Sequence, residues 1–236
     1  MKEKLKIIFR QATLDDVDGL VTLEKEVWGV NGANYNQLES RIKIFPQGNI
    51  IAVCDQQVVG YISFEYVDNV VDSRDFTWDD ITDYGSIIKS HKVNGEYIYG
   101  INISVHHLMN GYDLFFILGL EIWINGILNN KKGVFLGSRI PYFARYKKSN
   151  PLIDVNDYVD LKRNGKYLDS ELRLYERDGL KPVKVLPGYF PDPDSLNYGV
   201  LVYRNNPFYN WPLKFFWIYI IRKMPSIRST FAVKKK

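Results

Sequence analysis

Apolar residues recur along this chain with two different periods, and the changes of period mark its elements. Residues 5–12 read as a strand. Beyond them Leu14, Val17, Leu20, Val21, Leu23 and Val27 return at helical spacing, which predicts a helix over residues 13–28 with these side chains on its apolar face. Thr13 before Asp15 and Asp16 marks its start, because a hydroxyl cap and early acids satisfy unpaired N–H groups and complement the helix dipole. A second helix, residues 35–45, stops at Pro46 and Gly48. Two strands follow, 49–55 and 58–66, joined as a hairpin through Gln56-Gln57. Residues 68–95, with a short helical pattern over 78–88, read as an excursion beside the sheet.

The second half repeats the alternation. Residues 98–105 form a strand, 111–128 a long apolar helix, and 134–137 a short buried strand ending at Ser138-Arg139-Ile140-Pro141. After a helical insertion, residues 170–177 form a helix that stops at Gly179, and strands 182–186 and 198–203 close the pattern. The expected class is α/β (α+β), with a mixed central sheet of about six to seven strands flanked by helices. No repeat or low-complexity linker divides the chain, so residues 1–207 read as one domain and 208–236 as an aromatic, basic helical extension. In that extension Asn210 is a candidate cap and Pro212 falls in the first turn.

Composition narrows the class. Apolar residues at 46% and charged residues at 25% suit a folded globule and exclude a disordered chain. Part of the +4 net charge sits in Arg222, Lys223, Arg228, Lys234, Lys235 and Lys236, so the body is near neutral and shows no nucleic-acid footprint. The single cysteine, Cys54, lies in an apolar run and reads as a core thiol. An internal disulfide is excluded, which together with the lack of a secretory N-terminal pattern predicts a cytoplasmic protein. Residues 215–221, the longest apolar run, fall far short of the roughly 20 residues that span a bilayer.

Two segments carry a likeness to a known family. Tyr99-Gly100-Ile101-Asn102-Ile103-Ser104-Val105 is a strand entering a glycine-containing turn and then a helix, and Leu174-Tyr175-Glu176-Arg177-Asp178-Gly179-Leu180 is a characteristic helix end. With the order of elements, they resemble the GNAT superfamily of N-acetyltransferases over roughly residues 5–207. Gly137-Ser138-Arg139-Ile140-Pro141, Leu186-Pro187-Gly188-Tyr189-Phe190-Pro191-Asp192 and Tyr198-Gly199-Val200-Leu201 are similar to one bacterial subgroup, that associated with carbon–nitrogen hydrolases.

The resemblance implies an N-acyltransferase that takes an acetyl or fatty acyl group from a pantetheine thioester to a primary amine of a small molecule or peptide. The thioester, acyl-CoA or acyl-phosphopantetheine on a carrier protein, is a co-substrate, and no permanent cofactor is expected. Ile103, Ser104 and Val105 fall on the strand that pairs with pantetheine amides in that family. Asn110, Gly111 and Tyr112 fall on the turn that receives pyrophosphate at a helix N-terminus. Here the sequence departs from the pattern. The basic residue has become Asn110, and Asp113 and Phe115 replace small residues, with Asp113 opposing a pyrophosphate by about 4 kcal/mol at ~4 Å and an effective dielectric near 20. Asp113 equally suits a role complementing the helix dipole.

For chemistry, Tyr175 matches the position of the family's general acid, its alternative being a packed helix tyrosine. No base declares itself. Asn102 and Glu65 are catalytic candidates beside Ser104, His106 and His107. Arg139 and Tyr142 are candidates for the substrate site, Arg139 as a carboxylate or phosphate grip or a loop tie. Asp72, Asp75, Asp79, Asp80 and Asp83 either attract a cationic acceptor or form a solvated face. His91, in a hydrophilic segment, and the other two histidines show no metal spacing with Cys54. Two other readings stay open: a non-catalytic acyl-thioester-binding module that has lost its pyrophosphate turn, and a GNAT-like decarboxylase of malonyl thioesters, for which no paired Thr and His stands out. The C-terminal segment reads as a docked helix or as a peripheral surface for a membrane or an acidic carrier.

Overall fold

In the computed structural model, which describes residues 4–223 and 231–233, the chain begins with β1 (Lys4–Gln11), α1 (Val17–Trp28), α2 (Tyr35–Ile44), β2 (Asn49–Cys54), β3 (Gln57–Val67) and α3 (Trp78–Thr82). It continues with β4 (Tyr97–Val105), α4 (Leu114–Leu128), β5 (Gly133–Arg139), α5 (Phe143–Ser149), α6 (Val155–Asp160), β6 (Lys162–Arg163) and β7 (Lys166–Tyr167). Then come α7 (Ser170–Arg177), β8 (Lys181–Leu186), β9 (Gly199–Asn205), α8 (Lys214–Lys223) and β10 (Phe231–Val233). One sheet has the order β10-β1-β2-β3-β4-β5-β9-β8, and β6 and β7 form a separate ribbon. Seven strands make the body of this mixed sheet; the three-residue β10 adds an eighth beside β1, where Lys6 faces Phe231. The only parallel pair among the described strands is β4 with β5.

Each face has its own core. On one side Val17, Leu20 and Leu23 of α1 and Leu38 and Ile42 of α2 pack on Ile51 and Tyr61. On the other, Leu114, Leu118 and Ile122 of α4 pack on Ala52, Ile62 and Ile98. The split follows from the two-residue period of a strand, which sends neighbours to opposite faces. Burial of these apolar faces is the main stabilising term, at about 25 cal/mol per Å².

Several predicted boundaries shift for stated backbone reasons. The hairpin turns at Asp55 and Gln56 (φ 48° and 67°), one residue earlier than Gln56-Gln57, because Cys54 pairs with Gln57. Helix α3 ends at Thr82, well short of residue 88, since Asp83, Tyr84 and Gly85 are left-handed. Helix α4 starts at Leu114 rather than at residue 111, because Gly111 and Asp113 have φ of 88° and 55°. Strand β5 runs on to Arg139, held by Ser138 and Arg139 pairing with Val200 and Gly199. Leu14 and Val27, placed on the apolar face of the first helix, are 46% and 36% exposed. Asn210 does not cap α8: it is left-handed (φ 57°) and exchanges side-chain and backbone hydrogen bonds with Asn130. His91, although its segment is hydrophilic, stacks its ring on Phe45 with centroids 4.4 Å apart. Cys54 is buried in the core, as expected.

In the C-terminal extension, α8 docks on α4 through Ile218 against Ile124 and Ile127. Arg228 and Lys234 to Lys236 lie outside the described residues. Among the described residues no helix is long and apolar enough to cross a membrane.

Candidate functional site

Strands β4 and β5 pair only from Ile98 to Gly100 against Val134 to Leu136. Beyond Gly100 they part, and residues 101–105 keep β3 alone as their neighbour. At the parting point the β3–β4 ladder skips Ile101: Ser63 faces Asn102 while Phe64 faces Gly100. This bulge changes the facing of everything after it. Without the extra residue Asn102 and Ser104 would face α4; with it they face α1 and α2. The carbonyl of Ile101 accepts from the Trp78 indole at 3.1 Å.

A cleft of about 140 Å³ threads the splay. On the α1 and α2 side its wall includes Glu24, Trp28, Arg41 and Asn102. Phe115, Gly119 and Trp123 of α4 line the far side, and Arg139, Glu171 and Tyr175 close a third wall. One close approach shapes this wall. Gly137 has no side chain because the Tyr189 hydroxyl occupies the place where its Cβ would be, and that hydroxyl also hydrogen-bonds Tyr99.

The polar centre is Glu24, 2% exposed. Its Oε1 accepts from Ser104 Oγ at 2.5 Å and from Asn102 Nδ2 at 2.8 Å, and its Oε2 accepts from the Ala33 N–H at 3.1 Å. Ser104 accepts in turn from the Trp28 indole at 2.8 Å. Glu24 and Arg41 were not anticipated, although both had a signal in the sequence. Each is a charged residue at a helix position whose neighbours one turn away, Leu20 and Leu38, are core.

Of the candidates named from sequence, Asn102, Ile103, Arg139 and Tyr175 line the cleft and Ser104 joins them through Glu24. Burial, with the Glu171 carboxylate nearby, pushes the Tyr175 phenol well above its ordinary range, so it keeps its proton. Arg139 donates to Glu171 at 2.8 Å and lies 3.8 Å from Asp192, and its Nε has no partner. Burial raises Glu171, with Arg139 working against the shift.

Glu65 lies apart. It is wholly buried, accepts from Ser90 at 2.8 Å and does not line the cleft; burial raises its carboxyl to about 8, so it is neutral at pH 7. Tyr142, 37% exposed, also lies off the cleft, beside Tyr146. In the turn before α4, Asn110 and Gly111 are exposed while the Tyr112 side chain is buried in the core. The N–H groups of Asn110 and Tyr112 already donate to the His107 and Met109 carbonyls at 3.0 and 3.1 Å, so of the three it is the Gly111 N–H that faces a ligand. Val105 packs against the α4 core. Of the apolar residues after the turn, Phe115 lines the cleft, Leu118 is core and Phe116 lies against Arg177.

Glu26, His106 and His107 bring three ligand atoms within 4.8 Å of one another. The Leu108 N–H donates to His106 Nδ1 at 3.2 Å, which puts the proton on Nε2, 2.9 Å from Glu26. That nitrogen is therefore a donor to the carboxylate, and the group is a hydrogen-bonded tie between α1 and the end of β4.

No protein-family model matches the chain. Solved structures that share the fold include the loading GNATL domain of CurA from Lyngbya majuscula (TM-score 0.73, 22% identity, 85% of this chain and 98% of that one) and the GphF GNAT-like decarboxylase in complex with isobutyryl-CoA (TM-score 0.71, 20% identity, 84% and 99%). A protein of Bacillus subtilis (strain 168), the uncharacterized N-acetyltransferase YkwB, is 31% identical over 216 residues, which cover 86% of this chain and 90% of the relative. Identity at that level over nearly the whole of both chains shows the family, and the chain belongs to the GNAT superfamily of N-acetyltransferases.

Proposed function

We propose that this protein is an N-acyltransferase that moves an acetyl or fatty acyl group from a pantetheine thioester to a primary amine. One observation carries the reading: a single cleft runs through the β4–β5 splay with Tyr175 on one wall and the Glu24–Asn102–Ser104 cluster on another. The donor arm pairs with Ile103, Ser104 and Val105, and its phosphate meets the turn at Asn110, Gly111 and Tyr112 through the Gly111 N–H, those of Asn110 and Tyr112 being taken by the His107 and Met109 carbonyls. The amine attacks the thioester carbon as Glu24 takes its proton, the C–S bond breaks, and the Tyr175 hydroxyl protonates the leaving thiolate. In this scheme Glu24 is the base that the sequence left unassigned, Asn102 positions it, and the catalytic candidate Glu65 takes no part.

Asp113 at the head of α4 suits a donor without a pyrophosphate, acyl-phosphopantetheine on an acidic carrier protein, with the C-terminal lysines and arginines steering it. The exposed aromatic residues of α8 with Lys214 and Arg222 suit peripheral contact with an anionic membrane. The acceptor is small or a peptide side chain, the setting cytoplasmic, and the subgroup the hydrolase-associated one.

The experiment is thiol release with the same acyl group on coenzyme A and on a carrier protein, across an amine panel and several salt concentrations. Acylated amine supports the reading. Thiol-free loss of CO2 from a malonyl thioester would favour the decarboxylase, and tight thioester binding without turnover the non-catalytic module.

A further inference from the structure

The α2 side of the cleft contains a charge that the transfer scheme does not use. Arg41 is 0% exposed and lines the cleft. Its Nε donates to the Gly85 carbonyl at 2.6 Å and its Nη1 to Asn102 Oδ1 at 3.1 Å, while Nη2 has no hydrogen-bond partner. Among the described residues Arg41 makes no ion pair. A guanidinium cannot shed its charge to ease burial, unlike a lysine. Such a group with an unmet N–H is costly in a protein interior and is expected where a ligand completes it.

What faces it is Glu24, across a single carboxamide. Asn102 donates its Nδ2 to Glu24 Oε1 and accepts through Oδ1 from Arg41, so one side chain spaces the carboxylate and the guanidinium on the same wall. A small molecule that has an amine close to a carboxylate is complementary to that pair: amine toward Glu24, carboxylate toward the Arg41 guanidinium, whose Nη2 lies beside Gly85 and the cleft-lining Trp78 and is reached by parting the packing over it. The room also fits. The whole cleft is about 140 Å³, a benzene-sized space that the acceptor shares with the reacting end of the donor, so the acceptor is compact. The Trp28 and Trp78 rings on this side supply apolar walls around the polar pair.

We propose that the acceptor is an amino-acid-type amine whose carboxylate is received by Arg41, with its amine held beside Glu24. The proposal rests on the acyltransferase reading above and names its acceptor class. A site built to hydrogen-bond one group discriminates strongly against analogues that lack it, because its own buried donor is then left unpaired.

The test uses the full chain with acetyl and dicarboxylic acyl thioesters, each on coenzyme A and on a carrier protein at fixed concentration, and matched acceptor sets: an amino acid, its carboxamide, and the amine left by removing the carboxyl group, in small, aromatic and acidic series. The expected result is a fall in kcat/KM of about 10²-fold or more on loss of the carboxylate, carried mainly by KM. Arg41→Lys and Arg41→Met should narrow that gap. Because Arg41 also ties Gly85 and Asn102, either variant could unfold, and the wild-type acceptor series decides alone. A carboxylic acid without an amine should inhibit in competition with the acceptor and not with acetyl-CoA. Equal or better use of the carboxamides would overturn the proposal. So would a preference for a dicarboxylic acyl thioester paired with carboxylate-free amines, which would give Arg41 to the donor. No acylation of any amine by any thioester would overturn the acyltransferase reading and this inference together.

Discussion

The Ser104 hydroxyl donates to Glu24 Oε1 at 2.5 Å, joining β4 to α1 at the wall of the cleft. Ser104 itself is wholly buried and also accepts from Trp28, so its hydroxyl is fixed at both ends. Glu24→Gln keeps the shape of this cluster and removes the proton acceptor. Turnover should fall about 10²-fold or more with donor KM little changed. Retention of full kcat in a variant that melts like the wild type would remove Glu24 from the chemistry.

Tyr175→Phe deletes one hydroxyl from the cleft wall without opening a cavity. Thiol release should slow by about 10²-fold while acyl-CoA affinity and melting temperature hold. Because burial and the Glu171 carboxylate raise this phenol, no alkaline loss of rate assignable to it should appear below pH 10. Stopped-flow thiol release in both proteins is the measurement; an unchanged rate would make Tyr175 a packing residue.

Glu65 should make the fold pH-sensitive. Its carboxyl titrates near 8 in the fold against 4.5 when solvated, burial being the main cause. A raised acid leaves stability intact below pH 4.5 and withdraws it as pH climbs to about 8, by about 1.4 kcal/mol for each pH step between those limits. Glu65→Gln should therefore match the wild type near pH 4.5 and exceed it increasingly toward pH 8. Parallel denaturation curves across that range check the sign.

Gly137→Ala sets a methyl into the space held by the Tyr189 hydroxyl and the edge of its ring. Overpacking of this kind costs about 1–3 kcal/mol, and it displaces a residue of the cleft wall. Lower stability and weaker donor binding are expected together. Tyr189→Leu in the same chain should recover part of the stability, read by urea midpoints.

The two faces of α8 should separate by mutation. Ile218, 7% exposed, packs on Ile124 and Ile127, whereas Phe215 and Phe216 are 71% and 53% exposed. Ile218→Asp should destabilise the protein by several kcal/mol, about 3 or more. Phe215→Ser with Phe216→Ser should leave melting unchanged and weaken sedimentation with anionic vesicles. Equal vesicle binding by that double variant would exclude membrane contact through this face.

The strands, the main helices and the mixed sheet were legible in the chain because their apolar spacing is local: Val17, Leu20 and Leu23 announce α1, and Gly179 stops α7. The turn before α4 was legible as a departure from the family pattern, though not that Gly111 and Asp113 delay the helix to Leu114. Tyr175, Asn102 and Arg139 could be named from their segments.

Tertiary structure alone decided what those residues meet. Strand periodicity gives Asn102 and Ser104 one facing, and the skipped residue at Ile101, visible only in the pairing of β3 with β4, gives them the other. That turn of the strand brings them to Glu24, 78 and 80 positions away in sequence. Glu65 shows the converse: a carboxylate on a promising strand that the fold buries behind the cleft and neutralises. Local sequence fixes the period of an element, because that depends on near neighbours. Which face a strand presents after a bulge, and which charges are desolvated together, depends on partners far along the chain.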